Sequence, residues 1–207
     1  MKELFKGCWT IPNLLSLIRI LLVPVFLVLF FQGNKIGALI VLALSGVSDF
    51  LDGKIARHFN QISALGKLLD PVADKITQLS IAVVLFWQFN SSSVISLKYF
   101  SYVFLAFLGK ELLMLVCGSI MVAVGLRPCA AEIYGKIATF TFYVVMIFVI
   151  CFGPEVGALI EWYVMPNWLV MTLVLISLVL TIIALISYIP DTWRQVKEKK
   201  QQKGGSK

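Results

Sequence analysis

The chain has 207 residues, of which 59% are hydrophobic and only 14% charged, with a mean hydropathy of +0.92. So apolar a composition rules against an ordinary soluble domain and places the chain in the membrane class. The net charge of +7 is split among several short segments with no basic face between them, which argues against nucleic-acid binding.

A helix needs about 20 mostly apolar residues to cross a bilayer. Six stretches meet that length, at about 11–31, 36–57, 68–89, 99–124, 133–152 and 164–188. The expected fold is therefore all-α: a polytopic membrane protein with six transmembrane helices in one domain over residues 1–200. Ahead of the first span, Met1 to Trp9 sets Leu4, Phe5 and Trp9 beside Lys2 and Lys6, which suits a short N-terminal interfacial helix. The first span is longer than the apolar core of a signal peptide and lacks a small-x-small cleavage site. The second carries aspartates in its last two turns. It rises roughly 33 Å, enough to span, but its acidic end must sit in protein or water. The third is expected to begin near Asp70, because Pro71 is tolerated in a first helical turn. Trp162, Tyr163 and Trp168 bracket the connection before the sixth span as an aromatic belt would, and Tyr188 and Trp193 do the same at its other end. Residues 201–207 are expected to form a disordered basic tail. Cys8, Cys117, Cys129 and Cys151 have no metal-ligand spacing and fall at different membrane depths, so neither a disulfide nor a zinc site is expected.

Charge gives the orientation. Lys2, Lys6 and Arg19 flank the first helix, and Lys54, Arg57, Lys67 and Lys75 surround the second connection. Arg127 and Lys136 flank the fourth, and residues 194–207 are strongly basic. The opposite connections hold Lys35 and Lys98 with Glu155 and Glu161. The positive-inside rule then makes both termini and the aspartate connection cytoplasmic. The same excess of cations favours anionic lipid headgroups.

The most informative stretch reads D-x-x-D-G-x-x-A-R-x8-G-x3-D-x3-D, with Asp49, Asp52, Gly53, Ala56, Arg57, Gly66, Asp70 and Asp74 at the fixed positions. Carboxylates beside a bilayer are expensive and imply function. Asp49 and Asp52 fall on one helix face, one turn apart, and Asp70 and Asp74 are spaced i, i+4. Four converging carboxylates repel one another unless cations neutralise them. Hard cations take oxygen ligands, and a two-metal clamp recurs at displacements on phosphorus. Gly53, Ala56 and Gly66 leave room for a bulky ligand against the backbone, and Arg57 suits bidentate capture of a phosphate. His58, the only histidine, reads as a headgroup-level polar residue rather than a catalyst.

This pattern resembles the signature of the CDP-alcohol phosphotransferase family at every fixed position. Ile11-Pro12-Asn13-Leu14-Leu15-Ser16-Leu17-Ile18-Arg19 and Leu69-Asp70-Pro71-Val72-Ala73-Asp74-Lys75 are similar to bacterial phosphatidylglycerophosphate synthases. The resemblance implies six transmembrane helices, a homodimer in a bacterial plasma membrane and a cytoplasm-facing cavity. It implies that Asp49, Asp52, Asp70 and Asp74 hold two divalent cations, Mg2+ or Mn2+, and that Asp74 is also the general base. Asp52, Gly53, Ala56 and Arg57, with Gly66 leaving space beside them, would line the CDP moiety. The implied reaction transfers a phosphatidyl group from CDP-diacylglycerol to a polar alcohol, releasing CMP.

Basic residues outside the motif bear on the acceptor. The branch resembled carries an Arg-Glu pair where this chain has Lys110-Glu111, and G-K-x-K-T where it has Gly135-Lys136-Ile137-Ala138-Thr139. Lys110, Arg127 and Lys136 are the candidates for binding the phosphate of glycerol 3-phosphate, the acceptor of the leading reading. The departures keep phosphatidylglycerol, as in a cardiolipin synthase, and an inositol-phosphate-type acceptor in view. A divalent-cation transporter is the rival of another class. Gly53, Ala56 and Arg57 speak against it, since a cation path has little use for an arginine beside its carboxylates.

Overall fold

The computed structural model describes residues 11–58, 66–124 and 133–204, and every regular element among them is helical. In chain order these are α1 (Ile11–Phe31), α2 (Lys35–His58), α3 (Gly66–Asn90), α4 (Ile95–Phe100), α5 (Tyr102–Ala123), α6 (Ile133–Phe152) and α7 (Asn167–Gly204). Five apolar stretches, in α1, α3, α4 with α5, α6 and α7, are long enough to cross a membrane, and α2 adds a shorter one over Lys35–Ser48 before its acidic turns. The chain is thus a polytopic all-α membrane protein. The interfacial helix expected over residues 1–9 lies outside the described residues.

Three boundaries differ from the sequence expectation. The fourth span starts earlier, at Ile95, and is interrupted only at buried Ser101, whose backbone stays in the helical region and whose hydroxyl donates to the Lys98 carbonyl at 2.6 Å. α3 starts at Gly66, a full turn before Asp70, so Pro71 sits in the second turn and forgoes one bond of the helical ladder. α7 runs on to Gly204, taking in part of the segment expected to be disordered. Its residues past 190 are good helix formers, and Arg194 bonds Glu198 at 3.1 Å one turn on.

α1 packs along both α2 and α3, α3 also packs on α5, and α6 on α7. Among the described residues α2 and α3 make no extensive backbone contact, although their short connection predicts direct neighbours. Val23 and Phe26 of α1, Leu42 and Ser45 of α2, and Thr77 and Ser80 of α3 line one small recess among the three helices. The buried residues are sorted by depth. Phe30, Phe89, Leu97, Phe104, Ile150, Val156 and Val170 form an apolar core toward the end opposite the aspartates. Most of the larger buried polar residues, Asn13, Arg19, Gln78 and Glu111, lie in the other half, while the small serines Ser92 and Ser101 are buried at the apolar end. Buried polar groups need partners. Thr77 finds one in the Ala73 carbonyl, at 2.9 Å.

The turn between α1 and α2 shows why glycine is needed there. Gly33 lies at φ +81° and closes a Schellman motif, with Asn34 N–H donating to Leu29 C=O at 2.9 Å and Gly33 N–H to Phe30 C=O at 3.0 Å. The Asn34 side chain then caps α2 by accepting from Gly37 N–H at 2.9 Å. A Cβ on Gly33 would meet no atom within 4 Å, so only backbone strain penalises a side chain. Gly33→Ala is expected to lower stability by about 1–2 kcal/mol in detergent unfolding, without altering any packing contact.

Candidate active site

Two consecutive residues of α3 reach two different helices. Asp74, half-buried, accepts a hydrogen bond on Oδ1 from the Tyr143 hydroxyl of α6 at 2.6 Å. That hydroxyl also lies 3.3 Å from the Asp74 carbonyl oxygen. Gln78, one turn further along α3, donates from Nε2 to Asp74 Oδ2 at 3.2 Å. Lys75 points elsewhere, its ammonium donating to Glu111 Oε2 of α5 at 3.2 Å. Lys110 donates to the other oxygen of the same carboxylate, Oε1. Glu111, whose side chain is only 8% exposed, therefore sits between two ammonium groups that keep more contact with solvent. A carboxylate at that depth is sustained only by such pairing.

Beside this chain of charges lies a recess where four helices converge. Gln78, Lys110, Glu111, Thr139 and Thr181 contribute its polar edge. Leu79, Ala82, Phe107, Leu108, Ala138 and Phe142 make up the rest, so most of its wall is apolar. The arrangement sets a hydrogen-bonded carboxylate and two glutamate-paired lysines beside a mostly apolar recess.

The residues proposed from sequence fall as follows. Asp49, Asp52, Gly53, Ala56 and Arg57 occupy the last turns of α2, and Gly66 and Asp70 the start of α3. The helical course preserves the i, i+3 and i, i+4 spacings, while the side-chain positions of these seven lie outside the described residues. Asp74 is the one member of the set whose contacts are described. Among the described residues no group of three or more His, Cys, Asp or Glu forms a metal cluster. The chemistry of the set, hard carboxylate oxygens at helical spacing, fits a divalent cation. Lys110 is drawn to the recess, whereas Lys136 is exposed on the first turn of α6, and Arg127 lies outside the described residues. Cys117 and Cys151 are both free thiols.

Arg19 departs from its reading as a flanking charge. It is 2% exposed, in line with buried Asn13 and Ser16 at intervals of three residues on α1. Such spacing sets all three on one side of the helix, turned into the protein. Sequence reasoning passed over Lys75, Gln78 and Tyr143 as site residues. Gln78 was within reach, since it follows Asp74 by four positions. Tyr143, 69 residues away, gave no signal that separates it from the other aromatic residues of α6.

Comparison with known proteins bears on this site. The family described as CDP-alcohol phosphatidyltransferase matches residues 9–183. The chain is 44% identical over 137 residues to a CMP-forming cardiolipin synthase of Streptomyces coelicolor, covering 63% of this chain and 60% of that one. It is 33% identical over 135 residues to a CDP-diacylglycerol–glycerol-3-phosphate 3-phosphatidyltransferase of Aquifex aeolicus, covering 62% and 68%. With the human CMP-forming cardiolipin synthase it shares 54% identity over 75 residues, 36% of this chain and 25% of that one. The match thus spans about three-fifths of the length of the Streptomyces relative.

If Glu111 holds Lys75 as the geometry indicates, the two residues are energetically coupled. A double-mutant cycle of Lys75→Met and Glu111→Gln, read by unfolding in detergent, is expected to give a coupling of about 0.5–3 kcal/mol. Additive effects would mean that the pair contributes nothing.

Proposed function

We propose, from the premise that the chain belongs to the CDP-alcohol phosphatidyltransferase family, that it transfers a phosphatidyl group from CDP-diacylglycerol to a glycerol hydroxyl of a phosphate-bearing acceptor and releases CMP. The observation that carries this reading is the juxtaposition on α3 of the Asp74 carboxylate and the Lys75–Glu111–Lys110 chain beside one recess. Family membership with these residues leaves no reason to read the aspartates as a transport path.

Asp74 accepts the proton of the acceptor hydroxyl as its oxygen attacks the phosphatidyl phosphorus; the new P–O bond forms as the bond to CMP breaks. Asp49, Asp52, Asp70 and Asp74 are the residues to hold two divalent cations, Mg2+ or Mn2+, which when bound supply charge neutralisation of the pyrophosphate. Gly53, Ala56 and Arg57 receive the cytidine nucleotide, with Gly66 leaving room for it. Lys110 and Lys75 hold the acceptor phosphate, with Glu111 fixing both ammonium groups. We place this end of the bundle and both termini in the cytoplasm of a bacterial plasma membrane, on the distribution of basic residues, and infer a homodimer from the family resemblance.

Phosphatidylglycerol is the acceptor that suits the Lys75–Glu111–Lys110 charge pattern best. Two lysines flanking one glutamate leave a net single positive charge, which matches a phosphodiester monoanion better than the near-dianion of a phosphomonoester. The relative of 44% identity is also named a cardiolipin synthase. Glycerol 3-phosphate, giving phosphatidylglycerophosphate, is the second reading, favoured by the Aquifex relative.

The purified chain with Mg2+ and CDP-diacylglycerol is expected to release CMP when phosphatidylglycerol is added. Release with glycerol 3-phosphate alone would move the activity to the second reading, and release with neither would refute the proposal. Asp74→Asn is expected to abolish turnover while CDP-diacylglycerol still binds. Lys110→Met should raise the acceptor KM on the order of tenfold or more, for loss of one hydrogen bond from a charged donor worth about 1.5–3 kcal/mol.

A further inference from the structure

Asp74 is held on both carboxylate oxygens, and the two holders differ. Gln78 belongs to the same helix and follows any motion of α3 as a unit, whereas Tyr143 belongs to α6. The backbones of α3 and α6 are not closely packed, so the phenol spans the space between them. Its ring is braced from behind. Phe142 stands edge-on to it with centroids 5.9 Å apart, and Phe142 packs in turn on Phe107 of α5 at 5.2 Å. The 2.6 Å separation is that of a short hydrogen bond from a hydroxyl to a charged acceptor. Packing alone needs no hydroxyl there, since the neighbouring positions 142 and 144–148 are Phe, Val, Val, Met, Ile and Phe.

We propose that Tyr143 is a positioning residue: by bonding Oδ1 it fixes the rotation of the Asp74 carboxylate. An ionised carboxylate offers about four lone-pair sites. Tyr143 bonds one oxygen and Gln78 the other, and with both held the plane of the carboxylate is set relative to a cation and to the acceptor hydroxyl. Without the phenol, Asp74 turns about its side-chain bonds, and the carboxylate spends less time in the productive orientation. The inference rests on the reading of Asp74 as metal ligand and base, and deepens it with a residue outside the motif.

The test uses the full chain in detergent and Mn2+ alone as probe, with binding followed by electron paramagnetic resonance of the free ion. Partners of metal ligands typically account for about 10–100-fold in affinity or activity. Tyr143→Phe keeps the ring and is expected to weaken Mn2+ binding and lower kcat within that range, with little change in donor KM at saturating metal. Val145→Ala, which loosens the packing of the same helix away from the recess, should lower thermal stability without weakening Mn2+ binding. As a second measurement on an intact fold, 3-fluorotyrosine at position 143 should show a 19F shift on Mg2+ addition that Asp74→Asn abolishes. Wild-type Mn2+ binding and kcat in Tyr143→Phe, or a 19F resonance indifferent to Mg2+, overturns the positioning role if Asp74→Asn is inactive. If Asp74→Asn itself keeps Mn2+ binding and turnover, the reading of Asp74 has failed, and the role of Tyr143 falls with it.

Discussion

The pairings made by Asp74 and Lys75 govern how the polar end of this bundle is assembled. Successive residues on a helix point about 100° apart, and here they bond to α6 through Tyr143 and to α5 through Glu111. In a bilayer the lipid tails are as apolar as the side chains. Helices therefore gain little by hiding apolar surface from one another and depend on close packing and polar contacts. Two adjacent polar residues on one central helix thus fix two neighbours at the depth where the aspartates enter the protein.

The same constraint explains the sorting of buried residues along the helices. Toward the opposite end, Phe26, Phe30, Phe89 and Phe104 fill space by size and ring contact, with Phe89 and Phe104 stacked at 5.8 Å. Toward the aspartates, Asn13, Ser16, Arg19, Gln78 and Glu111 are buried instead. Polar groups at that depth are unfavourable unless partnered. Their concentration at one end marks where the bundle is built to receive charge. In the proposed reaction the headgroups of donor and acceptor would meet the protein at this end.

Much of this was legible in the sequence, for identifiable reasons. The six spans could be read because bilayer thickness sets helix length, and the aspartates because charges within apolar runs stand out. The break at Ser101 was hidden, since Lys98 to Val103 contains nothing that ends a helix by composition. The continuation of α7 to Gly204 was hidden for the opposite reason. Lys, Gln and Glu favour helix, but a hydropathy reading registers only their polarity. Lys110 was conspicuous as an intramembrane charge, and the structure adds Lys75 to its partner Glu111. The role of Tyr143 depends on how α6 is placed against α3, and no local pattern encodes that. Arg19 looked like a flank because a basic residue near a helix start usually is one, and only the packing of α1 on α2 and α3 buries it.

In the proposed function the acceptor is selected by the balance of charge around Glu111 rather than by the aspartate motif. The proposed chemistry, by contrast, has Asp74 deliver an activated hydroxyl directly to phosphorus in a single displacement. The most direct test is the stereochemical course with CDP-diacylglycerol made chiral at the phosphatidyl phosphorus by isotopic oxygen. The account predicts inversion of configuration in the lipid product. Retention would mean that a protein group carries the phosphatidyl moiety between two displacements, and it would contradict the role assigned to Asp74.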